Sequence, residues 1–327
     1  MIRALYRTQD GVFQADLPPE KFAQALKDER GLLWVDFVDT PPDMDAPILL
    51  DTFGFHPLAV DDALQETHVP KVDDWYQYVY IVLLAVEFDS PAVDLKTLEL
   101  DVFLGRNYIV THHDRPISAV ERVWWSCLRN ERHTQGGADH LLYALVDELV
   151  AQFMPVVEKI DVAIDLIEDQ IFGRPDSATL AQIFKLKRVV LDLRRVISPM
   201  REVLNRLARD DYPMIDARDR VYFRDVYDHL VRLHDINESL RDLIGGSLDT
   251  YLSVINNNMN DVMKRLTAIT TLFMPISFLA GFFGMNFFQP AIPLDIWTGL
   301  PAFVVTLLVM IAAPTLAFWW MRRRRWV

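Results

Sequence analysis

The chain has 327 residues, enough for two or three domains, and 51% are hydrophobic, a share that calls for membrane segments as well as a core. Its net charge of −13 is unevenly placed: after Met263, Lys264, Arg265 and Arg322 to Arg325 against Asp295 leave +5, so residues 1–263 carry −18. This balance argues against nucleic-acid binding, which needs a basic footprint, and the single cysteine, Cys127, excludes a disulfide framework or a cysteine metal cluster within one chain.

The first residues hold no apolar h-region, so no signal peptide is expected and the N-terminal part should stay in the cytoplasm. Residues 1–135 read as a mixed α/β domain. Residues 32–38 form a short strand-like run ended by Pro41 and Pro42. Residues 78–86 and 98–104 are β-branched and aromatic, and residues 107–111 follow after Gly105, which predicts a hairpin. Residues 57–65 between them read as a helix. His112, His113 and Asp114 invite a metal reading, but adjacent strand residues point to opposite faces and rarely share an ion. His56, His68 and His133 are isolated. No phosphate-binding glycine loop and no nucleophile elbow occur, and no convergent nucleophile and base can be assembled, so an enzyme is not expected.

From Ala138 the apolar residues recur at helical spacing through Leu141, Leu145, Leu149, Phe153, Val157, Ile160, Ile164 and Ile167. Gly173 and Pro175 end this stretch. Asp176 and Ser177 can cap a second helix running toward Ala208, so the two form an antiparallel hairpin. Its acidic residues, Glu158, Asp161, Asp165, Glu168 and Asp169, are most simply a solvated face. A third helix is expected from about Asp216 to Phe283, with no proline before Pro275. At ~1.5 Å per residue that is roughly 100 Å, the length of a coiled coil, a membrane span or both.

Asp228, Asp235, Asp242 and Asp249 lie seven apart on this helix. Asn256, Asn260, Met263, Thr267, Thr270, Met274 and Ser277 continue the row at steps of four and three. A polar row inside a membrane helix must face protein or water, so several copies around a water-filled axis is the favoured arrangement. The alternative is a solvated stripe on a helix that packs by its other face. That serves Asp228 to Asp242 but serves Thr267, Thr270 and Ser277 less well.

Residues 266–294 and 296–321 carry no charge, and each interval can hold a span of ~20 residues. Lys264 and Arg265 before the first and Arg322 to Arg325 after the second place both ends in the cytoplasm. The boundaries are a cytoplasmic helical hairpin and stalk over 136–263 and a membrane domain over 264–327. Within the latter, a first span covers about 264–284, an external loop about 285–298 and a second span about 299–321. Gly284, Met285 and Asn286 open the loop. Magnesium sheds its waters reluctantly. A neutral Asn can hydrogen-bond to that water shell without trapping the ion as a carboxylate ring would.

Gly284, Met285 and Asn286 between two terminal spans, with Met274, Pro275, Phe278, Ala280 and Gly281 before them, resemble the membrane signature of the CorA family of magnesium channels. Segments 55–58, 70–72 and 222–229 are also similar to family segments, so the likeness covers nearly the whole chain. It implies an α+β cytoplasmic domain, a long-helix stalk and two C-terminal transmembrane helices, assembled as a homopentameric funnel in the inner membrane. It further implies transport of Mg2+, with Co2+ or Ni2+ as further cargo. By position, Asn286 forms the external selectivity ring, and Asn260, Met263, Leu266, Thr270 and Met274 line the pore below it. Met263 and Leu266 form a hydrophobic gate, and Asp249 rings the cytoplasmic mouth. Asp89 and Asp225 match intersubunit positions that hold regulatory Mg2+ and close the pore by negative feedback.

The chain departs from the family pattern in Phe283, where Tyr is common, in Thr270, often small and apolar, and in a loop whose one acidic residue is Asp295. A zinc transporter of the same superfamily is the alternative that His229 and His234 keep open. A non-conducting membrane-anchored sensor is the alternative from another class.

Overall fold

The computed structural model describes residues 1–129, 132–173, 175–285 and 299–324. The chain divides into two compact units, Met1–Leu248 and Asp249–Val327.

The first unit is built on a seven-stranded sheet. Its strands are β1 (Ile2–Arg7), β2 (Phe13–Ala15), β3 (Leu32–Val38), β4 (Lys71–Asp74), β5 (Val79–Asp89), β6 (Asp94–Leu104) and β7 (Tyr108–His113). The order across the sheet is β2-β1-β3-β7-β6-β5-β4. Strands β3 and β7 pair in parallel and every other pair is antiparallel. Strand β3 is buried along its whole length because its central place leaves neither face to solvent. The predicted hairpin joins β6 to β7. Its turn needs Gly105, whose amide donates to the Tyr108 carbonyl at 2.9 Å, since a Cβ there would stand 2.2 Å from the Tyr108 ring.

The sheet separates two buried layers. On one face Leu33, Val35, Phe37, Tyr80, Val82, Phe103 and Val110 pack with Phe22, Phe55 and helix α1 (Pro57–Gln65). The Phe55 and Phe103 rings stack at 4.2 Å. His56 takes the N-cap of α1, where its Nδ1 accepts from the Leu58 amide at 3.2 Å, and its ring stacks on Trp75. The other face is covered by helices α2 (Ser118–Arg129), α3 (Ala138–Ala151) and α5 (Ser177–Arg209), while α4 (Phe153–Gly173) reaches β5. Helices α4 and α5 form the expected hairpin. Asp176 caps α5 in a capping box with Thr179, as the sequence predicts. A run over 138–173 is apolar enough to cross a membrane but is 56% buried inside the fold, so its hydropathy serves the core.

His112 and His113 do lie on opposite faces, and both are buried. His113 sits 3.2 Å from Asp36, which also binds Arg3 at 2.8 Å and accepts from Thr111. Burial works against the charge of Asp36, but His113, Arg3 and Thr111 outweigh it and hold the carboxyl below the usual range. His112 lies between Asp45 at 3.4 Å and Asp101 at 3.9 Å, and Tyr80 donates to Asp101 at 2.6 Å. Burial raises the Asp101 carboxyl to about 6. Burial alone would lower His112, yet Asp101 and Asp45 overcome it and push the imidazole up to about 9. The carboxylates approach opposite nitrogens of one ring, so they flank the imidazole from two sides and do not converge on an ion. Among the described residues no group of three or more His, Cys, Asp or Glu is placed to hold a metal.

The pH consequence follows from the raised imidazole. Its contribution to stability is complete below about 6.5 and disappears as pH rises through about 9. Thermal unfolding should therefore show an alkaline loss on the order of a few kcal/mol in the wild type. That slope should be absent from His112→Gln, and equal alkaline slopes in the two proteins would remove the buried ion pair from the account.

Candidate ion pathway and cation sites

Helix α6 runs unbroken from Arg220 to Phe283, and α7 covers Leu300–Arg323. Within the first unit α6 carries two rows. Val226, Leu230, Leu233, Asn237, Leu240, Ile244 and Ser247 recur at steps of four and three and are buried. Asp228, Asp235 and Asp242 lie on another face and are exposed. The apolar row drives α6 against its own chain. Ser247 Oγ donates to Glu168 of α4 at 2.8 Å, and Arg194 of α5 meets Glu238 at 3.4 Å. In a single chain the aspartates therefore behave as the solvated stripe of a helix packed by its other face. Sequence reading followed the acidic row and passed over the apolar one beside it, although its 4-3 spacing was open to view.

In the second unit the expected pore residues all stand exposed on one chain: Asp249, Asn260, Met263, Leu266, Thr270 and Met274. Met263, Leu266 and Met274 are 56%, 57% and 66% exposed, and Val262, Ile269, Phe273 and Phe278 are exposed beside them, a run of uncovered apolar surface rather than scattered single residues. The most apolar stretches of α6 and of α7 are 6% and 0% buried, in contrast to the run over 138–173. The Thr270 hydroxyl donates to the Leu266 carbonyl at 3.0 Å, so it meets its own hydrogen-bond demand within the helix. The helix continues through Pro275. At its end the Gly284 amide donates to the Ala280 carbonyl at 2.9 Å, and a Cβ on Gly284 would lie 2.9 Å from that same oxygen. Glycine is needed there for close approach of the backbone, with φ outside the left-handed region. Met285 follows, exposed. Asn286 lies outside the described residues.

Asp89 ends β5 and faces Asp94 across the β5–β6 hairpin, with its Oδ1 accepting from the Ala92 amide at 3.3 Å. Asp225 is exposed in the second turn of α6. No hydrogen bond or ion pair among the described residues joins the two. The structure adds a carboxylate that the sequence reading missed. Asp147 of α3 is half-buried, and burial raises its carboxyl; His229 opposes that, while Glu148 and Asp225 add to it. Nothing in the local sequence at Asp147 marks it, since only the packing of α3 on α6 brings it into the field of Asp225. The donor chemistry at Asp89, Asp147 and Asp225 is hard oxygen throughout, which fits Mg2+ and offers a softer ion no thiolate.

Residues 29–323 match the family model described as CorA-like Mg2+ transporter protein. The chain belongs to that family. It is 39% identical over 241 residues to the cobalt/magnesium transport protein CorA of Thermotoga maritima, covering 72% of this chain and 67% of that one. It is 25% identical over 316 residues to the protein of the same name from Methanocaldococcus jannaschii, covering 95% and 97%. A more distant likeness, 26% over 301 residues, is to the zinc transport protein ZntB of Yersinia enterocolitica, covering 90% and 88%. The complete structure of the CorA magnesium transporter from Methanocaldococcus jannaschii superposes with a TM-score of 0.85 at 22% identity, over 99% of this chain and 98% of that one. The expected fold, a mixed sheet domain followed by a long helix and a C-terminal apolar helix, is therefore the family's.

The buried row of α6 has two polar members, Asn237 and Ser247, and Ser247 is hydrogen-bonded to Glu168 and to the Leu243 carbonyl. Neither the amide oxygen nor the amide nitrogen of Asn237 finds a partner among the described residues, although the side chain is 1% exposed. Asn237→Leu should raise the unfolding free energy by roughly 1–3 kcal/mol, read from denaturant midpoints at unchanged m-value. A loss of stability would show that the amide is satisfied within the fold.

Proposed function

We propose that the chain conducts divalent cations across the inner membrane, Mg2+ first and Co2+ or Ni2+ as further cargo. The observation that carries this reading is one helix with two environments. Helix α6 is packed by an apolar row in the first unit, then enters a charge-free stretch whose surface is exposed. Relatives named for cobalt and magnesium transport match this chain over 72% and 95% of its length. Helix α6 and α7 are the two spans, with both termini cytoplasmic by the positions of Lys264, Arg265 and the C-terminal arginines.

The exposed Met263, Leu266 and Met274 call for further copies of the chain. A homopentamer places Asn260, Met263, Leu266, Thr270 and Met274 around one axis, Asp249 at the cytoplasmic mouth, and Gly284, Met285 and Asn286 at the outer end. Asn286 hydrogen-bonds to the water shell of the ion and leaves its hydration intact. Asp89 of one copy faces Asp225 of the next. Asp147, whose carboxyl is raised chiefly by burial and only then by Glu148 and Asp225 against His229, adds a further oxygen donor near Asp225 for a divalent cation to neutralise. When internal Mg2+ falls, these carboxylates repel, the subunits loosen and the gate at Met263 and Leu266 wets. The domain boundaries of this reading are 1–135, 136–263 and 264–327. No catalysis is assigned.

Zinc transport is the second reading, favoured by the Yersinia likeness. Against it, the exposed row of α6 offers carboxylate, amide, thioether and hydroxyl groups and no imidazole. His229 stands instead beside Val150, Met154 and Arg232.

Flux into proteoliposomes decides between them. Wild type should take up Mg2+ faster than Zn2+, and Asn286→Ala should lose at least about tenfold of the Mg2+ flux. Zn2+ uptake indifferent to internal Mg2+ would transfer the assignment to zinc, and an oligomer without flux would favour the sensor. In the same vesicles, Asp89→Asn with Asp225→Asn should demand roughly tenfold more internal Mg2+ for suppression. An unchanged suppression curve would leave both as plain surface carboxylates.

A further inference from the structure

The end of α7 carries charge that its own unit does not answer. Trp319 and Trp320 are 57% and 51% exposed, and Arg322, Arg323 and Arg324 follow at once, all exposed. The described carboxylates of this unit are Asp249 and Asp261, and Asp261 already pairs with Lys264 at 3.3 Å. The guanidinium of Arg323 lies 5.3 Å from the Trp319 ring centre, and that of Arg324 lies 5.8 Å from Trp320. Helix-terminal cations do favour the negative end of the helix, which accounts for one or two of them. It does not account for a run of consecutive arginines. At ~100° per residue Arg322 to Arg324 sweep about 200° around the axis, so at least one faces outward whichever side of α7 packs.

We propose that this end of α7 is a binding site for the headgroups of anionic phospholipids in the leaflet it meets, formed by Trp319, Trp320, Arg322, Arg323 and Arg324. The inference rests on the reading of α7 as a span. The two tryptophans sit at headgroup depth, as amphipathic rings prefer. Each ring holds one guanidinium by its face, which restricts the side chain and leaves the N–H edges for phosphate oxygens. Planar, paired donors match a phosphodiester better than a zwitterionic headgroup, whose choline repels them. The charge complementarity is with the anionic lipid surface, since basic residues just beyond a span gain roughly fivefold in affinity each near such a surface.

The test titrates the full-length protein in non-ionic detergent with phosphatidylglycerol or chain-matched phosphatidylcholine, counting bound lipid by native mass spectrometry. Wild type should bind phosphatidylglycerol at least about tenfold more tightly. R322Q/R323Q/R324Q should cut that preference at least about fivefold, and excess inorganic phosphate should leave wild type unchanged. Equal affinity for the two lipids, a preference kept by the glutamine variant, or displacement by inorganic phosphate would each overturn the site; the last would make it a free-anion site. If the glutamine variant fails to insert, W319L/W320L keeps every charge and should still lower the preference about two- to threefold. No change there overturns the ring-held geometry. Insertion and Mg2+ flux in vesicles of phosphatidylcholine alone are read separately: they test the span and the pathway, and they are expected to persist whichever way the lipid result falls.

Discussion

A helix is the one single-segment backbone form that can leave water for hydrocarbon with all its amides paired, and the rest of this protein depends on that constraint. Helix α6, Arg220 to Phe283, meets it while changing what its side chains face. Over its first half an apolar row, Leu230, Leu233, Leu240 and Ile244, fastens it to its own unit. Beyond Lys264 and Arg265 no charged side chain follows in the helix, and Leu266, Ile269, Phe273, Met274, Phe278 and Phe282 stand exposed. One helix thus contributes residues to both units, and each half is shaped by a different solvent.

What α6 is fastened to gains its definition from charge buried on both faces of the sheet. Arg3, Asp36, Glu121 and His113 knit β1, β3, β7 and α2 on one face, with Arg3 also lying 4.3 Å over the Trp124 ring. His112, Asp45, Asp101 and Tyr80 tie β5, β6 and β7 on the other. Such groups cost desolvation and stabilise only when every partner is in place. Their effect is on register: a one-residue slip of β7 would exchange His112 and His113 between two differently charged layers. Neither network lies among the expected pathway residues, so the two histidines that invite a metal reading serve the sheet, His112 as a buried cation and His113 as a neighbour of Asp36.

Much of the fold was legible locally. The runs at 32–38, 78–86 and 98–104 are β-branched and aromatic, and they became β3, β5 and β6. Asp176 announced the start of α5, and a long stretch without proline announced α6. The strands that escaped were β1, β2 and β4. β2 and β4 are short strands at the two edges, and residues 71–74, with one Val among Lys and two Asp, carry too little apolar signal to read as a strand. The parallel pairing of β3 with β7 also escaped, because residues 39–107 lie between them and no local pattern records it. For the pathway, the exposed row was legible as a seven-residue repeat of aspartates, while the value of Asp147 was not.

The sequence by itself determined the two charge-free runs, the basic residues that flank them, the helical and strand periods and the membership of a family whose signature ends at Asn286. These are properties of neighbours along a chain, written in hydropathy and spacing. Tertiary structure decided which of three apolar runs is core and which two remain exposed, because burial depends on what else is nearby in space. It also decided which acids have partners. Glu121 reaches Arg3 from 118 residues away, and Asp147 feels Asp225 from across a helix packing. Electrostatics acts through distance in space, and the chain folds residues together that its order keeps apart.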